Sequence, residues 1–149
     1  MNKILCKQNG YLCNTLKKKL EKTYYEEAMR YIYNAEELLK MAVPEEKYYT
    51  DLKYLKSAAG TAYAGIEKAA KWYAKLKGIE LKGKNVEMIK DGLRKINKTA
   101  LRDFVSLYSQ IHIGMYYEDN AKIKIVKEAF DDAKEFIAYL KPYSQIAEY

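Results

Sequence analysis

The segment from Tyr48 to Leu76 constrains the fold most, because its apolar residues recur at alternating steps of four and three. That spacing is typical of a helix that buries one face against neighbouring helices. It predicts a long helix that starts at residue 46 or 50 and ends near residue 77, where Gly78 suits the position after a helix. The residues that carry the pattern are Tyr48, Leu52, Leu55, Ala59, Ala62, Ile66, Ala69, Tyr73 and Leu76.

The middle of this helix, "SAAGTAYAG" (57–65), consists mainly of small residues. Glycine inside a helix costs up to about 1 kcal/mol relative to alanine. Gly60 and Gly65 therefore indicate that another helix approaches closely at this point, or that the helix bends there.

Three other segments have helical spacing and predict helices over 23–43, 85–117 and 120–140. Thr23 is the expected N-cap of the first of them. The sequence "INKTAL" (96–101) is a candidate interruption of the third predicted helix, with Thr99 as the N-cap of the segment that follows.

The connections between these helices are short, which favours antiparallel neighbours. The sequence therefore predicts an all-α protein, an antiparallel up-and-down four-helix bundle over residues 23–141. A basic N-terminal extension, helical or disordered, is expected over residues 1–22, and a C-terminal tail over residues 142–149.

The composition predicts a cytoplasmic protein without a metal site. No apolar run reaches the roughly 18 residues that a membrane span needs. The opening "MNKILCKQNG" becomes polar too early for a secretory signal. Cys6 and Cys13 are expected to be free thiols, and two cysteines with one histidine make a poor ligand set for a metal. No cofactor is predicted.

Basic residues predict two candidate phosphate-binding regions. The net charge is +7, and residues 1–22 contribute six lysines and one glutamate to it. Lys17, Lys18 and Lys19 are candidate phosphate contacts in this extension, with a solvated helix start or a frayed tail as the alternative. The second candidate is a stripe at every fourth position, which an ordinary solvated helix face also resembles; its residues are Lys90, Arg94, Lys98 and Arg102.

Tyrosine is strongly over-represented, with 16 tyrosines against three phenylalanines and one tryptophan. Tyrosine is enriched at protein interfaces, which favours a homodimer. The alternative is base stacking by exposed rings, for which the candidates are Tyr24, Tyr25, Tyr48 and Tyr49.

The segment "YSQIHIGMYYEDN" (108–120) contains the single histidine of the chain. His112 and Tyr116 are four residues apart and share one helical face. We expect His112 to flank the core as a neutral, hydrogen-bonded side chain. The alternative is a pocket or dimer interface formed by His112 with Tyr108, Tyr116 and Tyr117, and catalysis by His112 is a third interpretation.

Three segments together resemble HEPN-like proteins (higher eukaryote and prokaryote nucleotide-binding domains), and specifically a small group of single-domain members. They are "NAEELLKMA" (34–42), "YYTDLKYLKSAAGTAYAG" (48–65) and "HIGMYY" (112–117). The resemblance covers residues 24–141 and implies a bundle of four or five helices that is often a homodimer.

Many HEPN proteins are metal-independent ribonucleases, and the resemblance implies an arginine four to six residues before a catalytic histidine. This sequence departs from that motif, because the nearest upstream arginine, Arg102, lies ten residues before His112. The ribonuclease chemistry is therefore not carried over, and no catalytic residue is predicted.

The sequence thus predicts a non-catalytic interaction module that dimerises and binds RNA, a nucleotide or a protein partner. The alternatives are a degenerate or rewired ribonuclease centred on His112, and a component of a toxin–antitoxin pair.

Overall fold

The computed structural model describes residues 10–83 and 85–141, apart from the side chains of residues 10–14, 17, 18 and 20–22. This part of the chain is mainly helical, which confirms the all-α class. Its α-helices are α1 (Gly10–Lys40), α2 (Leu52–Leu76), α3 (Val86–Ile96), α4 (Lys98–Leu107) and α5 (Ile123–Tyr139). A π-helix, Tyr108–Tyr117, continues α4, and two short strands, β1 (Pro44–Glu45) and β2 (Tyr48–Tyr49), form an antiparallel hairpin.

Helix α1 is longer than predicted. It begins at Gly10 and runs without interruption through the predicted boundary between residues 22 and 23. The prediction of an N-cap at Thr23 is wrong, because Thr23 lies inside the helix and its Oγ1 donates a hydrogen bond of 3.0 Å to the Lys19 carbonyl. Residues 1–9 and the predicted tail (142–149) lie outside the described residues.

The β1–β2 hairpin connects α1 to α2. Val43 and Glu46 adopt positive φ angles of 53° and 51° and so reverse the chain over a few residues. Ile123 N donates to the Lys47 carbonyl and Tyr49 N to the Ala121 carbonyl, each at 2.9 Å. These bonds fasten the hairpin to the start of α5.

Helices α1 and α2 pack closely, as the small residues of α2 predicted. A Cβ added at Gly65 would lie 2.6 Å from the Tyr31 Cβ and 3.0 Å from the Ala28 carbonyl oxygen. The close approach therefore involves Gly65. A Cβ at Gly60 would lie in ordinary contact, 3.8 Å from the Tyr116 ring, so that glycine is not required by packing.

The third predicted helix (85–117) is three helical segments rather than one. The break falls within "INKTAL", but the N-cap of α4 is Asn97 and not Thr99. The Asn97 Oδ1 accepts from Ala100 N at 3.0 Å, and its Nδ2 donates to the Tyr73 and Tyr139 hydroxyls at 3.1 Å each. The Asn97 amide offers two N–H donors beside its acceptor oxygen, whereas the hydroxyl of Thr99 has a single donor and cannot bond all three partners.

The core lies where all these segments meet. Its largest fully buried side chains come from every α-helix and from the π-helix; they are Phe104, Phe136, Ile32, Leu55, Ile66, Ile89, Leu93, Leu107, Ile111, Met115, Ile137 and Leu140. The buried Ile111 and Met115 hold one side of the π-helix on this core. Its other side is thereby directed outward, toward α2 and solvent.

Candidate functional site

Five aromatic rings meet on the outer side of the π-helix, and we call them the aromatic cluster: Tyr63, Tyr108, His112, Tyr116 and Tyr117. His112 is at its centre. Its ring lies 4.4 Å from the Tyr63 ring and 5.9 Å from the Tyr116 ring, with interplanar angles of 25° and 11°. The sequence-predicted group is therefore brought together, with Tyr63 of α2 as a member that the sequence analysis missed.

The π-helix explains why both Tyr116 and Tyr117 reach His112. Its hydrogen bonds span five residues instead of four, so a turn is wider than the roughly 3.6 residues of an α-helix. The residues four and five positions after His112 then both lie near the side of the π-helix that carries His112. Tyr117 contacts the imidazole edge-on, with ring centroids 5.1 Å apart.

Helix α2 forms the floor of the cluster and runs antiparallel to the π-helix. Lys56 Nζ pairs with Asp119 at 3.2 Å, Gly60 faces the Tyr116 ring, and Tyr63 stacks on His112. The Tyr116 ring lies over the helix at Gly60, 3.8 Å from the position that a Cβ would take there. The cluster is thus built from two rigid helical elements.

The centre of the cluster is uncharged at neutral pH. Burial lowers the pKa of His112, and the nearby Glu67 carboxylate only partly opposes this effect. Burial and Glu67 both raise the pKa of the Tyr63 hydroxyl. The imidazole is consequently neutral and the phenol protonated.

Paired charges of both signs surround these rings. Glu67 pairs with Lys71 at 3.7 Å, and Glu87 pairs with Lys90 at 3.2 Å. The Lys90 Nζ also lies 5.4 Å from the centre of the Tyr108 ring. Together with the Lys56–Asp119 pair, these contacts form a polar rim around an aromatic centre.

The cluster remains accessible from solvent. His112 is half-buried, whereas Tyr116 is 38% exposed and Tyr117 is 63% exposed. The rings therefore form a surface on which a flat partner surface can pack.

The predicted basic stripe is not a continuous feature. Asn97 ends α3 and starts α4, so Lys90 and Arg94 lie on one helix and Lys98 and Arg102 on the next. Arg94 pairs with Asp91, and Arg102 pairs with Asp103 at 3.3 Å. The break at Asn97 therefore divides the four basic residues between two helices, and phosphate binding by them stays a prediction.

The predicted phosphate contacts of the N-terminal extension are only partly visible. Lys19 lies on α1 and is exposed. The side chains of Lys17 and Lys18 lie outside the described residues.

The described residues contain neither a metal-binding group nor a membrane-spanning helix. No group of three or more His, Cys, Asp and Glu side chains in this part is arranged to hold a metal ion. None of the described helices is both long enough and apolar enough to cross a membrane.

Comparisons with known proteins place the chain in a family. Residues 23–142 match the family model described as "Domain of unknown function (DUF5618)". A solved structure, a protein of unknown function from Dyadobacter fermentans, is 32% identical with a TM-score of 0.72, and the match covers 83% of this chain and 97% of that one. No curated protein matches the chain. Because the family model covers most of the chain and the Dyadobacter protein is similar in both sequence and fold, this chain belongs to the family described as domain of unknown function DUF5618.

Proposed function

We propose that this protein is a non-catalytic helical module that forms a homodimer through the aromatic cluster. The observation that carries the proposal is the layout of that surface. Half-exposed, uncharged rings form its centre, and ion pairs form its rim. Protein interfaces have this anatomy, with charge depleted and tyrosine enriched at the centre.

The rim favours a second copy of the chain as the partner. In a twofold dimer the same patch contacts itself, so it must be complementary to itself. Each ion pair on the rim offers one positive and one negative side chain, which can exchange partners across a twofold axis. A partner with a single sign of charge would leave half of these groups unmatched.

The HEPN-like architecture and the cytoplasmic location expected from the sequence are part of this proposal. The first rests on the segments 34–42, 48–65 and 112–117. The last two segments contribute four of the five rings of the aromatic cluster, namely Tyr63, His112, Tyr116 and Tyr117.

Light scattering coupled to size exclusion tests the dimer. The wild-type protein should elute with twice the mass of one chain. Tyr117→Ser removes the most exposed ring of the cluster and should shift the protein to the monomer without loss of helical circular dichroism. Tyr33→Ser is the matched control, because Tyr33 is 52% exposed on α1 and lies outside the cluster. A monomeric wild type, or a Tyr117→Ser protein that stays dimeric, would refute the proposal.

A ribonuclease centred on His112 is the second candidate, and the protonation state of His112 is compatible with it. Burial keeps His112 neutral at neutral pH, the form that a general base requires. The proposal of a non-catalytic module predicts no cleavage when the protein is incubated with mixed RNA in EDTA. If the wild-type protein cleaves RNA and the His112→Ala variant does not, the ribonuclease is established instead.

A further inference from the structure

A second surface lies on the opposite flank of α2, between α1 and α2, and we call it the lysine groove. It encloses about 260 Å³. Its lining residues are Tyr24 of α1, Lys68, Lys71, Trp72 and Lys75 of α2, and Glu80 and Leu81 of the following loop. The groove shares no ring with the aromatic cluster, but its Lys71 pairs with Glu67 on the polar rim of that cluster.

Two stacked rings form one wall of the groove. The rings of Tyr24 and Trp72 have centroids 6.0 Å apart and an interplanar angle of 19°. Trp72 is only 6% exposed, whereas Tyr24 is 40% exposed. The stack is therefore anchored at its buried end and accessible at its outer end, where a further planar ring can be added.

Three lysines line the same groove at steps of three and four along α2, so they share one face of that helix. Lys68 lies 3.5 Å from Glu27 and Lys71 lies 3.7 Å from Glu67, and these partly exposed pairs are weak. Lys75 is exposed and makes no ion pair within the described chain. Each of the three ammonium groups can therefore replace its carboxylate partner, or water in the case of Lys75, with a phosphate oxygen.

The lining of the groove is mainly basic. Glu80 is the one acidic residue that lines the groove.

We propose that the lysine groove binds a nucleoside phosphate, free or within a single strand, whose base stacks on Tyr24 and whose phosphate contacts Lys71 and Lys75. A planar base can stack on the exposed Tyr24 ring, and a phosphate can form ion pairs with the lysines. Surfaces that bind single-stranded nucleic acids combine these two features. An acidic peptide would engage the lysines and leave the stack unused. This site shares Lys71 with the rim of the dimer interface proposed above, so the variants that test the two proposals are placed at other residues.

Trp72 is the single tryptophan of the chain, so its fluorescence reports on the groove directly. The intact protein is titrated with adenosine monophosphate, a short single-stranded RNA, inorganic phosphate and polyglutamate, with excitation where the bases do not absorb. Either of the first two should quench Trp72 saturably, and the stronger of them identifies the source of the ligand. Polyglutamate should give no comparable quenching. Quenching by neither nucleotide probe, or equal quenching by polyglutamate, would overturn the proposal.

Variants then locate the site through the anisotropy of labelled RNA or nucleotide. Tyr24→Leu should weaken binding by about fivefold or more, because a stacked base contributes about 1–3 kcal/mol. Lys75→Gln should weaken binding of the RNA and lower its salt slope by about 0.7, the value for one phosphate contact on a single strand.

Lys53→Gln is the matched charge control, since Lys53 is exposed at the other end of α2. It should bind like the wild type, as should Tyr117→Ser, which separates this test from that of the dimer. Circular dichroism confirms the fold of each variant. Equal losses in Lys53→Gln and Lys75→Gln, or unchanged binding by Tyr24→Leu, would reduce the interaction to unspecific charge attraction and refute the site.

Discussion

Helix α2 presents two contrasting faces. One packs on α1, where Gly65 is buried and the backbone of Ala28 lies so close that no side chain fits. The other packs on the π-helix. There a Cβ at Gly60 would lie at an ordinary contact distance from the Tyr116 ring, and Tyr63 stacks on His112. The first face is closed to any partner, whereas the second is completed by rings that remain half-exposed.

The α1 side of α2 therefore contributes mainly to stability, and the π-helix side is suited to recognition of a partner. Tightly packed small residues transmit any change in volume to the backbone, because protein interiors have few voids. Stacked rings at the surface tolerate change and leave aromatic area available to another molecule. A substitution on the α1 side should therefore affect the free energy of unfolding, and one on the π-helix side should affect association.

The largest effect is expected from Gly65→Ala. Its Cβ would meet the Tyr31 Cβ and the Ala28 carbonyl, neither of which can rotate away. We expect a loss of about 1–3 kcal/mol in the free energy of unfolding, measured by urea denaturation. Gly60→Ala is the matched control and should be stabilising by about 0.5–1 kcal/mol, because alanine favours the helix and has room there. Equal effects of the two changes would remove the contrast between the faces.

An intermediate effect is expected from the Tyr63–His112 stack. A double-mutant cycle with Tyr63→Leu and His112→Leu should give a coupling energy of about 0.5–1.5 kcal/mol, as for other ring pairs. The cycle is measured by denaturation at one protein concentration. A second cycle that pairs Tyr63→Leu with Tyr33→Leu should be additive, because the described contacts of Tyr33 do not include Tyr63. Additivity in the first cycle would show that the stack contributes nothing beyond burial.

The smallest effect is expected from pH. Burial lowers the pKa of His112 in the folded protein below its ordinary value of 6.5, so the unfolded chain binds the proton more readily. The stabilising contribution is complete above about pH 6.5 and is lost as the pH falls from there through the lower folded pKa. Because the chain has one histidine, His112→Gln should flatten the dependence of unfolding free energy on pH in this interval. A wild-type stability that rises on acidification would contradict the assignment.

The segments that regular spacing marked are helical in the structure. The predicted helix from residue 46 or 50 to 77 is observed as Leu52–Leu76, and the one over 120–140 as Ile123–Tyr139. Their apolar residues recur often enough to identify a buried face without knowledge of the partner. The β1–β2 hairpin was missed because strands of two residues are too short to show alternation.

The candidate site was less predictable than the helices. His112, Tyr116 and Tyr117 are close in sequence, and helical spacing was enough to group His112 with Tyr116. Tyr63 was missed because nothing local marks which tyrosine of α2 faces the histidine.

The sequence by itself determined the helical class and the buried face of each main helix, because helical periodicity links residues only three or four positions apart. Only the tertiary structure decided that Asn97 rather than Thr99 caps the helix after the break, that residues 108–117 form a π-helix, and that Tyr63 completes the aromatic cluster. Each of these depends on partners distant in sequence, such as the Tyr73 and Tyr139 hydroxyls that bind Asn97. The energy of such contacts exists only once the helices have packed together.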